Sequence, residues 1–99
     1  MSTRTHSAVY SPISVKPFLK FKREDDGTYE YGLRGACLHF GNMLSGHYFA
    51  VVSQPSSNNQ RRWFRCNDNS VQPVPFTYLQ SNSGNICVLG YSLVKYTPC

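Results

Sequence analysis

The residues best suited to do chemistry are a histidine and an asparagine at the open end of a predicted hairpin. Residues 47–54 and 61–66 are rich in aromatic and β-branched side chains and predict two strands, joined by the polar loop 55–60. If Gln54 lies opposite Gln60, the same register places His47 opposite Asn67. Directly opposed residues approach closely enough for a side-chain hydrogen bond. A slip of one residue would turn the side chains to the other face and make Asp68 the partner.

Such a pair could serve as the base and orienting group of a hydrolase triad. A carbonyl oxygen bonded to one imidazole nitrogen fixes the tautomer and leaves the other nitrogen free to accept a proton from a nucleophile. The plainer alternative is that His47 is a polar residue at a sheet rim and Asn67 a turn residue. Taken alone, these two residues favour that alternative.

The hydrophobic pattern predicts a mainly antiparallel β fold, α+β at most, with about five strands and at most one short helical turn. Pro17 makes the segment 13–23 an edge strand or an irregular extended segment, and residues 1–12 are polar and aperiodic, typical of a loose leader. The strands are predicted to follow one another as a meander. The predicted strands are 31–40, 47–54, 61–66, 71–74 and 86–96, and the predicted helical turn is 75–80.

Composition excludes some classes of function. The chain has 99 residues, 40% of them hydrophobic and 14% aromatic, which argues against a disordered protein. The net charge is +5, but the basic residues are scattered in twos and threes. Scattered basic residues favour a solvated surface over a nucleic-acid interface.

The cysteines indicate a reducing compartment, either cytoplasmic or nuclear. Cys37, Cys66, Cys87 and Cys99 form an even set, but no apolar signal segment precedes them, so free thiols are expected. No window is apolar enough to span a membrane. The paired cysteine spacing of a zinc site is missing, so neither a metal nor any other cofactor is expected.

Four segments in order resemble the C-terminal part of a ubiquitin-specific protease catalytic domain. Leu-His-Phe-Gly at 38–41 and Ser-Gly-His-Tyr at 45–48 are similar to the family's histidine box. Residues 63–71 resemble its Trp-x-x-x-(Asp/Asn)-Asp-x-x-Val segment, and residues 85–91 its final strand. Residues 31–36 match an upstream strand loosely.

The resemblance implies a role for each matching position. His47 would be the general base toward a cysteine thiol, Asn67 would orient it, and Asp68 would support the oxyanion region. Gly46 would let the C-terminal tail of ubiquitin or a ubiquitin-like protein pass, and Tyr48 would pack beneath the site. The reaction would be thiol-dependent hydrolysis of the isopeptide bond after the ubiquitin C-terminus. Residues 13–99 would form part of a papain-like palm sheet.

The nucleophile of that family has no counterpart before His47. The family's cysteine lies in an Asn-x-Gly-Asn-Thr-Cys-Tyr motif, and Cys37 lacks such a lead-in. Residues 82–87 resemble that motif and end at Cys87, but they also fit the final strand, which is the preferred interpretation. If the likeness were real, Cys87 would be the nucleophile in a rearranged order.

Whether the chain is an enzyme therefore stays open. The preferred hypothesis is a fragment or truncated member of a deubiquitinase, inactive alone, with a second chain supplying the cysteine-bearing half. A non-catalytic remnant that binds ubiquitin or another partner is the first alternative. An unrelated basic β-domain that binds nucleic acid is the second.

Overall fold

The computed structural model describes residues 14–42 and 44–99, and these form one antiparallel sheet with a short helix. The predicted leader at 1–12 lies outside the described residues. Within the described part, no helix is long and apolar enough to cross a membrane. The elements are β1 (Phe18–Arg23), β2 (Gly27–Phe40), β3 (His47–Pro55), β4 (Arg61–Asn67), β5 (Ser70–Val74), α1 (Thr77–Ser81) and β6 (Ile86–Pro98), with 3-10 turns at Ser57–Asn59 and Ser83–Asn85.

The 14-residue strand β2 organises the sheet. Along one edge it pairs with β6 over nearly its whole length. Along the other edge its first half pairs with β1 and its second half with β3. The ladder then continues through β4 to β5. His47, at the start of β3, is therefore held beside Phe40, at the end of β2.

One face of the sheet carries the hydrophobic core. Alternation along the strands turns Leu38 and Val51 to this face, where both are fully buried. Leu79 of α1 is also fully buried and covers the sheet from above. Val15 joins the same cluster, and its backbone is tied to α1 by hydrogen bonds with the Gln80 side chain. Helix α1 is thus fixed by packing and by the segment that precedes β1.

The opposite face, here called the back face, is apolar and open. A cross-strand row of small and apolar side chains runs over five strands, because each member pairs with the next. The end members Val88 and Val71 are 60% and 64% exposed. No element of the described part of the chain covers this face. The row consists of Val88, Cys37, Ala50, Cys66 and Val71.

The predicted fold class is confirmed, with six strands in place of about five. The extra strand is β1, whose segment was predicted as edge strand or irregular structure. The predicted meander is wrong for the last strand, since β6 returns to β2 and does not pair with β5. Local sequence signals define where a strand lies, but its partner is chosen by long-range packing. Here α1 carries the chain back across the core face.

Candidate active site

In the structure, the side chains of the predicted pair, His47 and Asn67, are in direct contact. The Nε2 atom of His47 lies 2.5 Å from the Oδ1 atom of Asn67. An amide oxygen only accepts hydrogen bonds, so the imidazole donates its Nε2–H, and the lone pair on Nδ1 meets no partner among the described residues. His47 is exposed and Asn67 is half-buried. A fixed tautomer with an open Nδ1 is what a general base requires.

The register that produces this contact differs from the predicted one by two residues. Pro55 pairs with Arg61, so the ladder opposes Asn67 to Phe49 when it is continued by one residue. His47 is then the diagonal neighbour of Asn67 on the same face, still within side-chain reach. The turn is centred one residue later than predicted, at residue 58 and not 57, and Ser56 N–H donates to the Gln60 carbonyl at 2.8 Å. A shift of two residues preserves the face of every side chain.

Aromatic rings support His47 from the core side. Its ring lies 6.5 Å from that of Phe49, at an interplanar angle of 29°. Phe49 stacks on Phe40 at 5.3 Å, and the Arg65 guanidinium lies 4.7 Å from the Phe49 ring centre. The imidazole therefore ends a short stack that the core anchors. Sequence reasoning missed Phe49 and Arg65, although each stands two residues from a predicted site residue and so faces the same way.

The loop before His47 is closed by its two glycines. Gly41 has a φ of +99°, and a Cβ there would lie 2.9 Å from the Cα of Gly46. A Cβ on Gly46 would overlap the His39 imidazole and lie 2.6 Å from the Asn42 carbonyl oxygen. Gly46 is thus required by the packing of the loop itself, a reason that the sequence did not reveal.

The remaining predicted residues lie close to the pair without touching the imidazole in the described structure. Tyr48 points to the other face of β3, is 64% exposed and packs its ring 4.5 Å from that of His39. Asp68 is exposed and has a positive φ of 55° in the turn between β4 and β5. The oxygen that meets His47 therefore belongs to Asn67 and not to its neighbour.

Cys87 lies in strand β6, on the far side of β2 from His47. The segment before it is a 3-10 turn in which Asn85 donates to the His39 carbonyl at 3.0 Å, tying β6 to the end of β2. Burial raises the pKa of the Cys87 thiol, and the nearby Cys37 raises it further. A raised pKa lowers the thiolate fraction, so this thiol lacks the activation of a nucleophile.

The sheet presents a histidine whose Nε2 atom is held by an asparagine side-chain oxygen. The family model described as ubiquitin carboxyl-terminal hydrolase matches residues 1–91. The chain therefore belongs to this family, and the resemblance to ubiquitin-specific proteases is confirmed.

Curated relatives agree. The chain is 38% identical over 69 residues to ubiquitin carboxyl-terminal hydrolase 16 of Danio rerio, covering 52% of this chain and 8% of the relative. It is 31% identical over 61 residues to ubiquitin carboxyl-terminal hydrolase 34 of Homo sapiens, covering 59% and 2%. The chain thus spans less than a tenth of either relative.

Solved structures show the same fold. A yeast SAGA DUB module with a mutated Sgf73 subunit contains a chain of TM-score 0.66 and 23% identity, covering 83% of this chain and 18% of that one. The SAGA Ubp8/Sgf11/Sus1/Sgf73 DUB module bound to ubiquitin aldehyde gives a TM-score of 0.64 at 22% identity, covering 83% and 19%. The described sheet is therefore about a fifth of those chains.

Proposed function

We propose that this chain supplies the general base and its orienting group to a cysteine-type deubiquitinase, with the nucleophile carried by polypeptide outside these 99 residues. The observation that carries the proposal is the 2.5 Å contact between His47 Nε2 and Asn67 Oδ1. In this scheme Nδ1 of His47 takes the proton of a cysteine thiol. The thiolate then attacks the carbonyl of the isopeptide bond after the ubiquitin C-terminus, and Asp68 supports the oxyanion region. The C–N bond breaks, the lysine amine leaves with the proton held by His47, and water hydrolyses the resulting thioester.

The chain alone is inactive in this proposal. Cys87 is separated from His47 by β2 and has a raised pKa. Residues 13–99 then correspond to the C-terminal part of a catalytic domain, in keeping with coverage of 18–19% of the matched solved chains. The exposed back face supports a need for further polypeptide, because apolar patches of this kind are typical of interfaces. We assign that face to a further part of the same catalytic domain.

The substrate is ubiquitin or a ubiquitin-like protein, by analogy with the family. Gly46 and Tyr48, which flank His47, are the residues proposed to meet its C-terminal tail. The cysteines at 37, 66, 87 and 99 are free thiols in the structure, which supports a reducing compartment, cytoplasmic or nuclear.

A chimera tests the proposal. This chain would replace the matching segment of a related catalytic domain, such as that of the Danio rerio hydrolase 16, which provides the cysteine. A ubiquitin probe with a C-terminal thiol-reactive warhead should label the chimera and not the isolated chain. Cleavage of a ubiquitin substrate by the chimera should disappear in the His47→Ala variant.

Two results would contradict this function. If the isolated chain formed an adduct that was lost in Cys87→Ala and in His47→Ala, the chain would be a self-contained protease with a rearranged order. If the chimera folded and cleaved substrate equally well with His47→Ala, the base would lie elsewhere.

A further inference from the structure

A second feature of the sheet combines two arginines with an aromatic cavity. The cavity has a volume of about 480 Å³ and lies where the neighbour of β2 changes from β1 to β3. Arg34 and Arg61 line it on the polar side. Its apolar wall is formed by the aromatic residues Phe18, Trp63 and Phe76.

Ser53 connects the Arg61 side chain to the backbone of Arg34 through neutral hydrogen-bond partners. Arg61 donates from Nε to the Ser53 hydroxyl at 2.7 Å and from a terminal nitrogen to the Ser53 carbonyl at 3.3 Å. The Ser53 hydroxyl in turn donates to the Arg34 carbonyl at 2.9 Å. Burial lowers the pKa of Arg61, and the like charge of Arg34 lowers it further. The cavity therefore carries two positive charges beside an apolar wall, a combination that favours an anionic ligand.

This chain cannot supply that anion from its own acidic side chains. It has five, all within the described residues, and residues 1–13 contain none. Residues 24–26 form the turn between β1 and β2, and Glu30 pairs with Lys20 and with Lys95. Asp68 lies in the turn at the other end of β4. None of these acids lines the cavity.

We propose that this cavity binds a carboxylate side chain of another polypeptide, with Arg34 and Arg61 as the anion contacts. The aromatic wall suits an apolar side chain next to the acid, so the ligand class is an acidic peptide segment with interspersed apolar residues. Arg61 lies six residues before Asn67 on β4, which corresponds to roughly 20 Å along the strand. The site is thus separate from the His47–Asn67 pair and goes beyond the proposed function.

The single tryptophan of the chain makes the test direct, because Trp63 lines the cavity. The full chain would be titrated with the peptide acetyl-Glu-Leu-Asp-Phe-Glu-amide while Trp63 fluorescence is followed. The expected result is a saturable change that the matched peptide acetyl-Gln-Leu-Asn-Phe-Gln-amide does not produce. Arg34→Gln and Arg61→Gln should each weaken binding about tenfold or more.

Arg62→Gln is the matched control, since it removes the same charge from an exposed side chain that lies over Phe64, 5.4 Å from the ring centre. It should leave binding unchanged. Arg34→Gln disturbs no side-chain hydrogen bond among the described residues, so it tests the proposal even if Arg61→Gln unfolds the chain.

Three outcomes would overturn the proposal. If the amide peptide bound equally well, the cavity would recognise only the apolar side chains of the peptide. If Arg62→Gln weakened peptide binding equally, the effect would come from the net charge of the chain and not from the cavity. Tighter binding of a short single-stranded DNA, lost in the same two variants, would assign the arginines to phosphate.

Discussion

Strand β2 has a polar cluster near each of its ends, and the two clusters differ in what they leave available. Near its start, Asp26 accepts hydrogen bonds from the hydroxyls of Tyr29 and of Tyr96, the latter at 2.7 Å. Near its end, His47 donates to Asn67 and keeps Nδ1 open. Among the described residues, the groups of the first cluster bond to one another, whereas the second leaves one imidazole nitrogen available to a further group, as the proposed function requires.

The closed cluster acts as a clasp. It joins the turn after β1 to the far end of β6, and the rings of Tyr29 and Tyr96 lie 4.9 Å apart. The two phenol hydrogen bonds lower the pKa of Asp26, and the carboxylate raises the pKa of Tyr96 to about 12. Perturbed pKa values alone would make this end look functional. Each of these groups is hydrogen-bonded to another in the cluster, so the pKa shifts here reflect structural hydrogen bonds and not a catalytic site.

The largest expected effect is on catalytic activity, which should depend on the His47–Asn67 cluster and not on the Asp26 cluster. In the chimera with a related catalytic domain, His47→Ala should lower kcat about 10²–10⁴-fold, because the general base is lost. Tyr96→Phe removes one hydroxyl from the closed cluster and should change kcat by less than about twofold, since its position is exposed. Steady-state cleavage of a ubiquitin substrate measures both. Comparable losses would mean that the clasp also takes part in catalysis.

A smaller loss is expected when the orienting group is altered. Asn67→Ala should lower kcat by about 10²-fold, because the imidazole is no longer held in position. Asn67→Asp should recover most of the activity, since a carboxylate oxygen accepts the same Nε2–H bond. The same assay decides. If Asn67→Ala had no effect while Asp68→Ala did, the orienting role would pass to Asp68.

An alanine substitution at Gly46, in the loop before His47, should cost more stability than one at Gly84, which is not packed against other residues. Gly46→Ala should lower the free energy of unfolding by about 1–3 kcal/mol, because the new Cβ overlaps His39 and approaches the Asn42 carbonyl. Gly84→Ala is the control, as no atom lies within 4 Å of a Cβ there. Urea unfolding followed by Trp63 fluorescence compares the two. Equal costs would show that loop packing does not require Gly46.

The smallest effect concerns the closed cluster at high pH. The pKa of Tyr96 is raised in the folded state, so its stabilising contribution is complete below the unfolded value of 10.0 and is lost as the pH rises toward about 12. Over that range the urea midpoint of the chain should fall faster than that of Tyr96→Phe. If the two proteins lost stability in parallel as the pH rises, the hydrogen bond from Tyr96 to Asp26 would contribute nothing to stability.

Much of the sheet could be predicted because strand signals are local. β3 is predicted at 47–54 and observed at His47–Pro55, and the final strand is found where its aromatic and β-branched residues indicate. The predicted start of β2 is four residues late, because residues 24–28, with Asp26 and Gly27, favour a turn. Pairing with both β1 and β6 extends the strand through them.

The candidate pair could be predicted to the residue, although by a register that was off by two. The face of a side chain depends only on whether the shift is odd or even, so His47 and Asn67 still meet. Gly46 shows the opposite case. Its requirement for a small residue comes from His39 and Asn42, and no local signal shows that these atoms converge there.

The sequence by itself determined the antiparallel strands, the family and the two residues of the His47–Asn67 pair, because alternation and short motifs are properties of neighbouring residues. Only the tertiary structure decided that β6 returns to β2, that Cys87 is kept apart from His47, and that Arg34 and Arg61 line one cavity. These depend on contacts between residues distant in the chain, and such contacts are fixed by packing the core around Leu38, Val51 and Leu79.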